Sequence, residues 1–382
     1  MRRKIVYISF LLLFVSNISF GNNYLANIQL TYWSDTLYRP EIKPIVELYR
    51  NYIESNPDSI YDNPFWNSAE KKRFHDFDFS RNSIFQGENG WTAKTLYSTY
   101  KAYILKIEKK DSVFYLIQSM LYKPNADSIW DKFNPIFIHR YYAIHENSRW
   151  KLANALFYDT KHWQSYDTEK ICFHFNSNES FSKTLADTSN AFCDSVITRF
   201  DFSPLMAKID FYVVDGVHEV GHLLGYDHYI YGFAFGKSIE NIIISGNKTV
   251  YYPHELVHQI VKKENLGSNF IEEGFATWLG GSMGNAYHDV AKDFSQHYLA
   301  TANSNFEWAF ECNISCYAFA AIIIDLIRDY YGDNGVKELI KLPSNNKEEL
   351  LRSIEKTTGW DTKSFLQKWD TKIKTVAQSE DY

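Results

Sequence analysis

The chain has 382 residues, is 45% hydrophobic and carries a formal net charge of −6. That length can bury a large core, with two domains as the prior, and the acidic balance gives no case for a nucleic-acid or anionic-membrane partner. Aromatic residues are abundant, with 28 Tyr, 28 Phe and 10 Trp, which suits broad sheets and apolar clefts and equally a bulky core.

Residues 1–21 read as a secretory signal. Arg2, Arg3 and Lys4 form a positive start, and Ile5 to Val15 is an apolar run too short to span a bilayer comfortably. Ser19-Phe20-Gly21 puts small residues where signal peptidase needs them, so cleavage is expected after Gly21. No cysteine lies near that site, so no lipid attachment is expected. No later stretch is apolar enough to span a membrane. The mature protein is expected to be exported and soluble, periplasmic or extracellular. An oxidising compartment permits disulfides. Cys172–Cys193 and Cys312–Cys316 are the nearest-neighbour choice among three pairings. Free buried cysteines are the equal alternative.

Residues 22–168 are expected to form a smaller α+β domain. Ile42 to Glu54 has helical spacing, and Asn-Pro steps at 56–57 and 63–64 mark turns. Tyr100 to Glu108, Ser112 to Tyr122 and Pro135 to Ala143 are alternating, aromatic and β-branched, and Trp150 to Phe157 is a fourth candidate strand. Lys109-Lys110-Asp111 and Lys123-Pro124-Asn125 read as hairpin turns. This order resembles cystatin-like or SnoaL-like domains, an antiparallel sheet with helices on one face. His139 and His145 carry no catalytic constellation and are expected to be solvent or structural residues.

Residues 169–382 are expected to form a second domain, a mixed sheet followed by helices. Ile171 to Phe175, Ile209 to Val214 and Glu240 to Ser245 read as strands, the last at an edge. Ser180 to Phe200, 217–224 and 253–265 read as helices. Cys316 to Tyr330 and Lys347 to Lys374 are helical in spacing.

Two metal-type strings lie in this half. His254-Glu255-Leu256-Val257-His258 is HExxH, and residues four apart on a helix can place two imidazoles on one ion. Pro253 suits the first helical turn, and Leu256, Val257, Ile260 and Val261 form an apolar stripe. Glu255 stands beside the first ligand, where a base can take a proton from water. Glu273, or its rival Glu272, could supply a third ligand if the next helix packs antiparallel. The connection from Leu266 to Glu272 spans up to about 23 Å when extended, enough to return past the helix.

With Glu272-Glu273-Gly274-Phe275-Ala276, this stretch resembles the gluzincin zinc metallopeptidases. The resemblance continues through Tyr317-Ala318-Phe319-Ala320-Ala321, Tyr330-Tyr331-Gly332 and Thr358-Gly359-Trp360 into the tail of peptidase-MA-like domains. It implies a zincin-like fold over about residues 169–375. It implies zinc held by His254, His258 and Glu273, Glu255 as general base, a downstream tyrosine (Tyr317 here) for the oxyanion, and a peptide or protein substrate. Two departures stand out. Only 14 residues separate His258 from Glu273, and no Gly-x-Met-Glu-Asn stretch precedes the helix, so no amino-terminus clamp is expected.

Upstream, His218-Glu219-Val220-Gly221-His222 continues to Gly225 and His228 as HExxHxxGxxH, which resembles the metzincins. Against that reading, the only downstream methionine, Met283, lacks Met-turn flanks, and His218 follows a strand by four residues. It also leaves the 253–278 stretch unexplained. A metzincin-type peptidase using His218, His222, His228 and Glu219, and a non-catalytic zinc-stabilised peptide-binding module, are the alternatives to a gluzincin-type peptidase.

Overall fold

The computed structural model describes residues 28–30, 40–55, 63–74, 77–81, 100–110, 114–132, 137–176, 181–227, 236–262, 264, 266–301, 304–311 and 316–379. The expected signal, the Asn-Pro step at 56–57, His228 and Cys312 lie outside these residues. Among the described residues no helix is long and apolar enough to cross a membrane.

The described residues form a mixed α+β structure with two five-stranded sheets. The first has the order β1-β2-β3-β4-β5, formed by Ile28–Leu30, Lys101–Lys109, Phe114–Tyr122, Phe137–Glu146 and Arg149–Asn154. β1 runs parallel to β2 and the other pairs are antiparallel. The β4–β5 turn is Asn147-Ser148, both at positive φ (49° and 63°), as a two-residue hairpin of matching twist needs. The Lys123-Pro124-Asn125 turn instead leads into a short helix, Ile129–Lys132, before β4. His139 is not a solvent residue: it is buried, and it bridges to Tyr226.

The second sheet has the order β6-β7-β8-β10-β9, formed by Gln164–Asp167, Ile171–Phe175, Ile209–Val213, Ile242–Ser245 and Gly236–Ile239. β7, β8 and β10 are parallel neighbours, and β6 and β9 add antiparallel edges. The expected edge strand at 240–245 is therefore an inner strand, β10, paired with β8 and β9. Its four residues are buried throughout, and a run buried on both faces carries no alternation to reveal its place in the sheet.

This second sheet is covered on both faces. Phe173, Phe211 and Ile243 point into a core with the helices that follow. Tyr212, Ile242 and Ile244 point into a core shared with Ile117 of the first sheet, Tyr49 and Tyr52 of helix α1 (Lys43–Glu54), and Trp66. Alternation along each strand therefore joins the two sheets through one apolar layer. Cys172 and Cys193 are both free. Cys193 is buried among Ile171 and Phe173 on helix Lys183–Phe200. Cys172 points to the other face by strand alternation, so the expected Cys172–Cys193 disulfide does not form.

The C-terminal helices are Asn269–Gly280, Tyr287–Ala300, Phe306–Glu311, Cys316–Leu339 (broken at Gly332, φ 63°), Lys347–Thr358 and Thr362–Ala377. Side chains of Ser268, Asn346 and Asp361 cap three of them, each satisfying a free amide of the first turn. Asp325 ties four helices together: it accepts from Trp278 Nε1 at 3.2 Å and Tyr287 Oη at 3.0 Å, and pairs with Lys372 at 2.6 Å.

Candidate metal centre

Helix Pro253–Val261 is enclosed on nearly every side. Leu256, Val257, Ile260 and Val261 fill the core beneath the second sheet. On another side Gln259 donates from Nε2 to the carbonyl of Ile242 on β10, at 3.2 Å. The helix stops at Val261, four residues short of the expected end at 265. Gly267 does not cap it. A Cβ there would stand 1.6 Å from the carbonyl oxygen of Leu342, so the glycine allows close passage of the 339–343 segment.

The next helix, Asn269–Gly280, returns beside the first. Gly274 lets it approach the Cys316–Leu339 helix, since a Cβ would lie 2.4 Å from that of Ala320. Gly280 lets it approach the first turn of 253–261, since a Cβ would lie 2.3 Å from the His254 nitrogen. These two close packings set where Glu272 and Glu273 point.

Three ligand-type atoms converge. His254 Nε2 is 3.2 Å from Glu273 Oε2 and 3.2 Å from His258 Nε2, and His258 Nε2 is 3.4 Å from Glu273 Oε2. Donors about 2.0–2.1 Å from a tetrahedral zinc stand about 3.3 Å apart, so the triangle has the size of one face of such a site. The far nitrogens are held too. His254 Nδ1–H donates to the carbonyl of Gly281 at 2.7 Å, and His258 Nδ1–H donates to Glu272 Oε1 at 2.8 Å. Both acceptors fix the tautomer that leaves Nε2 facing the centre. Glu272, the rival third ligand from the sequence, thus sits behind His258 instead of in the triangle. Neighbouring residues on a helix are about 100° apart, which lets one glutamate face Nε2 and the other Nδ1.

Burial alone would lower the His258 imidazolium, but the Glu272 and Glu273 carboxylates outweigh it and raise it to about 10. Burial alone would raise Glu273, but hydrogen bonds from His254 and His258 hold it down to about 2. A half-buried carboxylate and two imidazoles already oriented suit a divalent cation.

Glu255 is buried beside His254, 7% exposed. Tyr317 stands at the rim, 37% exposed, with its ring edge-on to His254 at 6.3 Å. The sequence reading missed Tyr252, directly before the helix. It stacks against His254 at 6.4 Å and is hydrogen-bonded to Asn247. Burial and the nearby Glu255 and Glu273 carboxylates push its hydroxyl well above the ordinary tyrosine range. Its adjacency to Pro253 was the only signal in the sequence.

The upstream string has a different setting. His218 and Glu219 are exposed on the short helix Val217–Leu223. His222 is held through Nδ1 by Asp227 at 3.0 Å, with Asp159 3.9 Å from Nε2. The glycine of the string, Gly225, has φ of +92° and passes close to the Arg140 carbonyl, and Arg140 pairs with Asp159 and Asp227. Met283 is exposed at positive φ. Among the described residues, two groups bring metal-type atoms together: His254, His258 and Glu273, and a second one of Cys172, His174 and Asp210.

No family model and no curated protein matches the chain. Among solved structures it is similar to a two-domain M1 zinc metallopeptidase, a point mutant bound to L-tryptophan, at 12% identity and a TM-score of 0.32. The match covers 57% of this chain and 51% of that one, so the chain spans about half the length of that structure.

Proposed function

We propose that the chain is an exported, zinc-dependent peptidase of gluzincin type with a zincin-like second domain, in which His254, His258 and Glu273 hold the ion. One observation carries this reading: three donor atoms meet within 3.4 Å, with both histidines fixed from behind and a buried glutamate alongside. A bound zinc ion supplies Lewis acidity, polarising a carbonyl and bringing the pKa of water to about 7.

The chain's own residues do the rest. Glu255 receives the proton of the attacking water and passes it to the leaving amine. Tyr317, at the rim beside His254, donates a hydrogen bond to the carbonyl oxygen as negative charge develops. Glu272 keeps the His258 ring in place, and Gly281 does the same for His254. An extended substrate adds to the outer side of β9, the edge of the described sheet next to β10.

Glu255→Gln is the direct test. The variant should bind zinc as wild type does, with peptide hydrolysis reduced about 10²–10⁴-fold, the range for loss of a general base. Hydrolysis at the wild-type rate by the zinc-loaded variant would remove Glu255 from the mechanism.

A further inference from the structure

A second group of donors lies on the opposite face of the second sheet from helix Pro253–Val261. Three strands bring it together. The register sets Asp167 of β6 against Cys172 of β7, and Cys172 against Asp210 of β8. These three side chains form a row across neighbouring strands, about 4.8 Å apart. His174 is two residues beyond Cys172 and so shares its face.

The donor atoms of Cys172, His174 and Asp210 all lie within 4.8 Å of one another. His174 Nε2 is 2.8 Å from Asp210 Oδ1, and its ring is stacked on Tyr212 at 4.4 Å and 16°. Each carboxylate has one oxygen engaged by a cation. Arg73 takes Asp210 Oδ2, leaving Oδ1 on the cluster. Lys208 takes Asp167 Oδ1 at 2.8 Å, and the Asp167 carboxylate also accepts from the Cys172 thiol. Asp210 is thus oriented toward the cluster by Arg73, and Asp167 toward the Cys172 sulfur by Lys208.

We propose that Cys172, His174 and Asp210 form a second metal site for a thiophilic divalent cation of the zinc class, with Asp167 beside the sulfur at its edge. Sulfur, imidazole and carboxylate together are a zinc-type donor set. Calcium and magnesium take oxygen ligands and do not match it. The three converging ligands lie on two neighbouring strands, β7 and β8. A bound ion clamps β7 and β8 together beneath Arg73 of the short helix Ser68–Arg73. The site shares no ligand with His254, His258 and Glu273.

Cobalt(II) added to the full-length, chelator-treated protein separates the two centres, because only this one contains sulfur. Wild type and His258→Ala should each develop a near-ultraviolet thiolate-to-cobalt charge-transfer band, complete by two equivalents in wild type, which has both centres, and by one in His258→Ala. Cys172→Ser should lack the band while melting at the temperature of metal-free wild type. His174→Ala, which spares the sulfur, should weaken cobalt binding at the band at least tenfold. The proposal is overturned if wild type gives no band, if the band persists in Cys172→Ser, if it disappears in His258→Ala, or if His174→Ala leaves the affinity unchanged.

Discussion

Glu272 and Glu273 are neighbours in sequence with different tasks: Glu273 Oε2 faces both Nε2 atoms, while Glu272 Oε1 accepts from His258 Nδ1. Truncating each should therefore give a different result. Glu273→Ala should abolish metal binding at this centre. Glu272→Ala should lower zinc affinity about 10–100-fold, the usual cost of losing a group that orients a ligating histidine. Competition with a chromophoric chelator measures both, and equal affinities for the Glu272 variant and wild type would contradict its orienting role. Tyr317→Phe should reduce kcat with little change in KM, because its hydrogen bond forms only as the carbonyl becomes charged. A change confined to KM would make Tyr317 a substrate contact instead. The histidine pair was legible in the sequence because i and i+4 on a helix is local geometry. The Glu272 contact was not, because it depends on how a second helix packs. Cys172, His174 and Asp210 were illegible for a related reason: Asp210 joins the other two only through strand pairing, 36 residues from His174.

At the level of elements, the centre depends on two helices meeting at glycine. Gly280→Ala would put a methyl group 2.3 Å from the His254 nitrogen, against backbone that cannot swing aside. The cost expected for such overpacking is about 1–3 kcal/mol. Zinc affinity should fall with it, since the helix that carries Glu272 and Glu273 must retreat. Thermal melts of metal-free protein with zinc titrations check both, and an unchanged melt would show that the contact relaxes freely. Pro253 and the stripe Leu256, Val257, Ile260 and Val261 made this helix legible. Its end was not, because Lys262 to Asn265 would extend a helix by composition, and Gly267 is set by the Leu342 carbonyl. Strand β9 was missed for want of alternation: it is four residues, Gly236–Ile239, with one large apolar side chain. Without its partner, β10 read as an edge.

Across the whole molecule, the two sheets are joined by a shared apolar layer, and a buried acid lies on the short helix Ser68–Arg73. Glu70 is 7% exposed and accepts from Trp66 Nε1 and Asn154 Nδ2, both at 2.7 Å. Burial outweighs these bonds and pushes its carboxyl up to about 7. The native state then keeps this proton while the unfolded chain releases it near its ordinary value of 4.5. The stabilising effect of the neutral acid is complete below pH about 4.5 and is lost as pH rises to about 7, by at most about 3 kcal/mol. Glu70→Gln removes this titration. Its melting temperature should match wild type in acid and exceed it increasingly toward neutral pH. Parallel curves would contradict an uncharged Glu70.

The proposed hydrolysis requires an ion held by His254 and His258, not by the upstream histidines. The direct measurement is metal content per chain for purified wild type, His258→Ala and His222→Ala, with peptide hydrolysis followed in parallel. His258→Ala should lose one equivalent of zinc and its activity, while His222→Ala, whose imidazole is held by Asp227, should keep the wild-type content. Loss of zinc and activity in His222→Ala with both retained in His258→Ala would contradict the account and move the centre to the upstream string.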